Sequence, residues 1–345
     1  MPVVALVSFR LGGTDGVSIA AAGWAWALGR IGCEVRTVAG SGPVDVVVPG
    51  LGIDPDGGPP PPPPPPGEVA DALAGADIVI VENLCSLPLN PGAAAVVAAV
   101  LAGRPAVLHH YDLPWERHWG VDLPPPPDDP AWAHVVLTDR SRRQLARRGI
   151  AATVIGAAVD TGAPPGDRER ARAVLQISAD EPLVLQPSRA IARKSVPAGL
   201  ALAEALGAAY WLTGPAEEGY APVLSEVLGG ARTRVLRRLP ESLSMADSYA
   251  ASDAVAFPST NEGFGIPLLE GSVARRPVAA GPNEAAAELA GLGFSWFPAA
   301  DPEPLRRFLA DPDPDLLDAN AGLVERHFAR RDLPARLATL LERWQ

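Results

Sequence analysis

Cysteine is scarce in this chain: its 345 residues hold two, Cys33 and Cys85, each inside an apolar segment. That excludes a disulfide-stapled framework, and neither thiol has metal-ligand company at a useful spacing, which speaks against zinc. Both read as reduced core residues. Long apolar runs are missing too. The longest, 93–108, is broken by Gly103-Arg-Pro105 well short of the roughly 20 residues a membrane span needs. The first ten residues carry no basic n-region and read as a strand and not as a leader, so a cytoplasmic location is expected. There is no basic excess: the net charge of −11 argues against a nucleic-acid partner while leaving room for a local basic pocket.

What is present is the composition of a folded protein, 48% hydrophobic and 20% charged, at a length that exceeds one comfortable core. Short apolar runs at 3–9, 34–38, 44–48, 77–81, 106–109, 134–138 and 153–155 read as strands, with helices over 17–31, 68–74, 92–102 and 141–148 between them. The rhythm repeats with strands at 183–186, 209–212, 234–236, 254–257 and 278–280. Helices are expected at 168–175, 196–206, 221–228, 244–251, 267–273 and 283–289, and from Asp301 to the end. Alternation of this kind predicts α/β architecture with two Rossmann-like, doubly wound domains, 1–160 and 161–330, facing a central cleft. The turn-rich stretch 160–167 marks the boundary. The remaining segment, 331–345, is expected to be a helix with Leu337, Leu340, Leu341 and Trp344 on one apolar face, able to pack back on the first domain. Eight consecutive prolines, 59–66, should form a stiff extended surface loop.

Chemistry gathers where strands end. Glu262 and Glu270 lie eight positions apart, with Gly263-Phe-Gly265 directly after the first. A strand at 254–257 precedes them and a helix follows, so backbone amides and carboxylates meet in one loop. Amides suit phosphate or sugar oxygens, and carboxylates suit hydroxyl donors. The loop 186–195 carries Arg189, Arg193 and Lys194, which reads equally as a diphosphate clamp or as a solvated basic turn. The segment 109–115 ends another strand with His109, His110, Asp112 and Trp115, a set that fits a sugar site. After the first strand, Gly12 and Gly13 let a ligand approach the backbone, yet the full Gly-x-Gly-x-x-Gly spacing of a dinucleotide oxidoreductase is lacking. Asp54-Pro-Asp56 and the aspartates of 311–315 lie away from strand ends and are rejected as metal ligands.

In this order the motifs resemble the family-4 glycosyltransferases, retaining enzymes of the two-domain GT-B fold. The similarity is clearest over 239–282, where the paired glutamates match Glu262 and Glu270, and motif order holds across nearly the whole chain. The resemblance implies that Glu262 contacts donor-sugar hydroxyls with the amides of Gly263, Phe264, Gly265 and Ile266. Glu270 would hold the ribose hydroxyls, and Arg189 and Lys194 would neutralise the diphosphate leaving group. Gly12 and Gly13 match the family's amino-terminal glycine loop, and His109 its histidine near the donor sugar. His110, Asp112, Trp115 and Trp119 are candidate acceptor contacts. The first domain would be the acceptor side and the second the nucleotide-sugar side. It further implies transfer to an acceptor hydroxyl with retention, no cofactor and no metal. The readings left open are a non-catalytic nucleotide-sugar binder and a sugar-nucleotide epimerase or phosphorylase. The chain departs from the family at Arg275 and Arg276, which precede Pro277-Val278, and in the stretch 280–286.

Overall fold

The computed structural model describes residues 1–13, 15–54, 56–116 and 123–344. The chain divides into two units, Met1–Ala158 with Arg330–Gln345, and Val159–Ala329.

The first unit holds β1 (Val3–Arg10), β2 (Glu34–Ser41), β3 (Val46–Val47), β4 (Ile78–Glu82), β5 (Ala106–His110), β6 (Trp132–Val136) and β7 (Ala152–Val154). They form one parallel sheet in the order β3-β2-β1-β4-β5-β6-β7. Its helices are α1 (Gly16–Arg30), α2 (Pro66–Ala72), α3 (Pro91–Leu101) and α4 (Asp139–Ala146). Every residue of β4 and β5 is buried, as a parallel sheet covered on both faces requires. One apolar cluster joins Trp24, Ala27 and Leu28 of α1 to Leu6, Ile80 and Val107; another joins Val69 of α2 and Val97 of α3 to Val7, Val81 and Leu108.

The proline run is held to this unit more closely than a bare spacer would be. Pro64 is buried and packs on the backbone at Gly50, and Pro63 lies against Gly92. Pro66 opens α2, where a missing N–H costs nothing.

The second unit repeats the plan with β8 (Leu183–Gln186), β9 (Ala209–Leu212), β10 (Val235–Arg237), β11 (Ala254–Phe257), β12 (Val278–Ala280) and β13 (Phe297–Pro298), parallel in the order β10-β9-β8-β11-β12-β13. The sequence reading lacks β13, a two-residue strand ending in proline that carries no alternating pattern. Helices are α5 (Arg168–Leu175), α6 (Val196–Leu206), α7 (Ala221–Gly229), α8 (Met245–Ala251), α9 (Ile266–Val273), α10 (Glu284–Gly291), α11 (Pro302–Ala310) and α12 (Pro314–His327). Asp247 ties α8 to α5. Its carboxylate accepts from the amides of Asp167 and Ser244 and pairs with Arg170, and these contacts pull its pKa down to about 2.

The last helix, α13 (Leu333–Leu341), belongs to the first unit. Leu333, Leu337, Leu340 and Leu341 enter the same cluster as Trp24 and Leu28, and Trp344 donates its indole N–H to the Ala131 carbonyl at 3.1 Å. Among the described residues no helix is long and apolar enough to cross a membrane.

In each sheet the strand order reverses direction once, between β1 and β4 and between β8 and β11. Doubly wound sheets bind ligands outside the carboxyl ends of strands at such a switch point. The residues singled out from the sequence leave these strands or their neighbours.

Candidate functional site

In the second unit the basic loop leaves β8. Gln186, the last residue of that strand, donates from Nε2 to the Lys194 carbonyl at 2.8 Å and accepts from the Tyr210 hydroxyl at 2.6 Å. The loop therefore hangs on a buried polar pair. Gly214 backs it closely: a Cβ there would stand 2.4 Å from the Ser188 carbonyl oxygen and 2.6 Å from Arg189 N, so only glycine fits. A single 3-10 turn over Ala192–Lys194 then leads to Ser195, held in the left-handed region at φ 48°.

That geometry gathers three cations. Lys194 Nζ lies 2.5 Å from Glu262 Oε1, and Arg193 Nη1 lies 3.1 Å from Glu262 Oε2 and 3.1 Å from the Asn261 carbonyl. Arg189 pairs with Glu217 at 2.7 Å. The side chains of Lys194 and Glu262 are 11% and 7% exposed, so this pair is largely out of water. Burial opposes ionisation of Glu262, but the charges of Lys194 and Arg193 prevail and hold its pKa below the usual carboxylate range. Lys194 is pushed the other way. Burial, Arg193 and Arg189 outweigh the attraction of Glu262 and lower its pKa. Arg193 Nε, also buried, has no hydrogen-bond partner among the described residues.

The helices that start beside these cations are open at their amino ends. Gly265 caps α9 and Ser195 caps α6; neither gives a side-chain cap bond, and neither first turn holds an acidic residue. A helix start without a capping side chain can meet an anion through its remaining amides; Pro197 and Pro267 offer no N–H here, and the amides of Ala198 and Leu268 bond to the cap carbonyls. Phe264 turns inward, edge-on to Phe328 at 5.5 Å, and so anchors the loop Gly263 to Ile266 by packing. Glu270, inside α9, accepts the Tyr249 hydroxyl at 2.7 Å, and burial raises its pKa. The two arginines that depart from the family pattern serve the scaffold. Arg276 donates to the carbonyls of Tyr249 and Ala250, and Arg275 pairs with Asp318.

The first unit's strand ends are different. Asp15 caps α1 by accepting from the amides of Val17 and Ser18, with Arg10 at 3.3 Å. These two amides at the helix start thus already have a carboxylate. Gly12, at φ 75°, packs on Pro43, and Gly13 adjoins the Asp15 cap. His109 and Glu82 are register partners on β5 and β4. His109 donates from Nδ1 to Glu82 Oε2 at 2.8 Å, the Tyr111 hydroxyl donates to the same oxygen at 2.9 Å, and the Trp24 ring stacks on the imidazole at 4.2 Å.

His110 and Trp115, read as acceptor contacts, have protein partners that the sequence did not suggest. His110 is buried in a chain that ends on a carboxylate: Ser86 Oγ to His110 Nδ1 at 2.6 Å, His110 Nε2 to His134 Nδ1 at 2.9 Å, and His134 Nε2 to Asp128 at 3.0 Å. Asp128 can only accept, so each neutral ring donates from Nε2 and accepts at Nδ1. Burial lowers the pKa of both histidines. Trp115 packs in an apolar cluster with Leu145 and Ile150, donates to Gln144 at 2.6 Å and carries the Arg148 guanidinium 3.5 Å over its ring. Asp112 is buried and its amide meets Asn83 Oδ1 at 3.5 Å. Trp119 lies outside the described residues.

Sequence reasoning missed Glu82, Glu217 and Tyr249. Glu82 alone left a signal: it follows four apolar residues at a strand's carboxyl end, where burial of a charge needs a reason.

Comparison with known proteins fits this geometry. No family model matches the chain. It is 26% identical over 341 residues to a mannosylglucosylglycerate synthase of Thermotoga maritima, covering 80% of this chain and 79% of that one. Among solved structures, Anabaena Alr3699/HepE in complex with UDP-glucose superposes with a TM-score of 0.75, at 17% identity over 99% of both chains. The fold is that of the GT-B glycosyltransferases. A sucrose-phosphate synthase of Thermosynechococcus elongatus agrees with it at a TM-score of 0.73, with 16% identity over 99% of both chains. The resemblance read from the sequence holds at the level of this GT-B group.

Proposed function

We propose that this GT-B protein transfers a sugar from a nucleoside-diphosphate sugar to an acceptor hydroxyl, with retention of anomeric configuration and without a metal ion. The observation that carries this reading is the convergence of Arg189, Arg193 and Lys194 beside the uncapped starts of α6 and α9. Charge builds on the diphosphate as its bond to the sugar breaks, and fixed cations with helix amides stabilise it there without reorganising. Three side-chain charges supply what a divalent ion would otherwise provide.

In this reading Glu262 takes donor-sugar hydroxyls and Glu270 the ribose hydroxyls. Neither is the acid or the base. The leaving phosphate oxygen accepts the acceptor's proton as the new bond forms on the face the diphosphate leaves, through an oxocarbenium-like state. The UDP-glucose complex of Anabaena Alr3699/HepE makes a UDP-sugar the first donor to test. Incubating the protein with UDP-, GDP-, ADP- and TDP-sugars in EDTA, and reading the product's anomeric configuration by NMR, tests the proposal. A retained linkage formed in EDTA is expected. An inverted product, or turnover that needs an added metal, would refute that part of the mechanism.

A further inference from the structure

Among the described residues, Glu82 Oε1 and His109 Nε2 are buried without a hydrogen-bond partner, and they belong to side chains that bond to each other. Glu82 closes β4 and is fully buried; His109, opposite it on β5, is 1% exposed. Oε2 receives both the imidazole Nδ1–H and the Tyr111 hydroxyl, which offsets the cost of burying its charge. The rings of Trp24 and Tyr111, centred 4.2 and 4.5 Å away, restrict the imidazole plane.

A carboxylate oxygen only accepts, so the proton of the neutral ring stays on Nδ1 and the lone pair on Nε2. A buried acceptor left unmatched is costly unless a ligand brings the donor. Phosphate oxygens without a proton cannot do so. A hydroxyl can.

We infer that Glu82 is the positioning residue of His109. It fixes the Nδ1–H tautomer and so presents Nε2 as the acceptor for a hydroxyl of a sugar ligand. The ligand part rests on the glycosyltransferase reading; the tautomer part rests on geometry alone. As positive charge develops on a sugar ring its hydroxyls become stronger donors, so this bond tightens in the transition state and acts on kcat more than on KM.

Long-range 1H–15N spectra of the histidine-labelled wild-type protein, at mildly alkaline pH, with His109 assigned from His109→Gln, read the tautomer directly. The expected unprotonated nitrogen is Nε2. Glu82→Gln should weaken that preference and lower kcat for a UDP-sugar donor about tenfold while its KM moves by less than about threefold. Glu82→Asp should restore part of the rate. An Nε2–H tautomer in the wild type, or a Glu82→Gln enzyme with wild-type kcat, overturns the inference. Failure of the glycosyltransferase reading shows separately, as no binding of any nucleoside diphosphate, and the wild-type tautomer still decides the role of Glu82.

Discussion

In the second unit the loops of interest leave the carboxyl ends of two adjacent strands, β8 and β11; in the first they leave β1 and β5, which flank β4. After β1 the chain enters α1 through Asp15, which accepts from two of the helix's amides. After β8 and β11 it enters α6 and α9 without a side-chain cap, and three cations stand alongside. The buried polar group at the ends of β4 and β5 is a carboxylate–imidazole pair; at the ends of β8 and β11 it is a carboxylate held by lysine and arginine. One topology thus carries two electrostatic characters. The second unit gathers three cations, each paired with a carboxylate, beside helix starts that lack a side-chain cap. The first gives two amides of its helix start a carboxylate cap and buries a carboxylate–imidazole pair beside two further histidines.

The difference can be broken most sharply at Lys194. Removing one cation from the clamp leaves charge on the leaving diphosphate unmatched, so Lys194→Ala should lower kcat about 10²- to 10³-fold. Arg189→Ala should act in the same direction; near-normal rates in both variants, with intact circular dichroism, would refute the clamp. Asp15→Ala probes the opposite end of the comparison. Loss of the α1 cap should cost about 1 kcal/mol of stability in urea unfolding. Its kcat should stay near the wild-type value, and a large kcat loss would show that the first unit's helix terminus takes part in chemistry.

Glu270 offers a finer test. Its folded pKa is raised, so its contribution to stability is fully present below the ordinary carboxylate value and is lost as pH rises through the folded one. At neutral pH Glu270→Gln should therefore match or exceed the wild-type Tm while binding donor more weakly. A lower Tm would contradict this. The smallest effect concerns His110 and His134. Their folded pKa values are depressed, so the unfolded chain takes up protons first as pH falls below about 6.5. Stability should be intact above that value and decline below it, and His134→Gln should flatten the decline in a Tm-against-pH series.

Much of this was legible in the chain. Alternating apolar runs placed nearly every strand and helix and set Arg189, Lys194 and Glu262 at strand ends; the family resemblance, not spacing, joined them in one site, and the pairing of β8 with β11 shows that those ends are neighbours. What escaped are contacts that depend on register across the sheet. Glu82 and His109 are 27 positions apart and meet only because β4 and β5 pair in one register. Tyr249 reaches Glu270 from another helix, and Gln144 reaches Trp115 from α4. Residue type misled at His110 and Trp115, whose polar and aromatic character suits a sugar but equally suits a buried hydrogen-bonded chain and an apolar cluster.

The most direct test of the second unit's cation clamp is calorimetric titration of UDP, GDP, ADP and TDP into the wild-type protein and Arg189→Ala, in EDTA. At least one diphosphate should bind the wild type and bind the variant about tenfold or more weakly. No binding by any of the four, or equal affinity in the two proteins, would contradict the account.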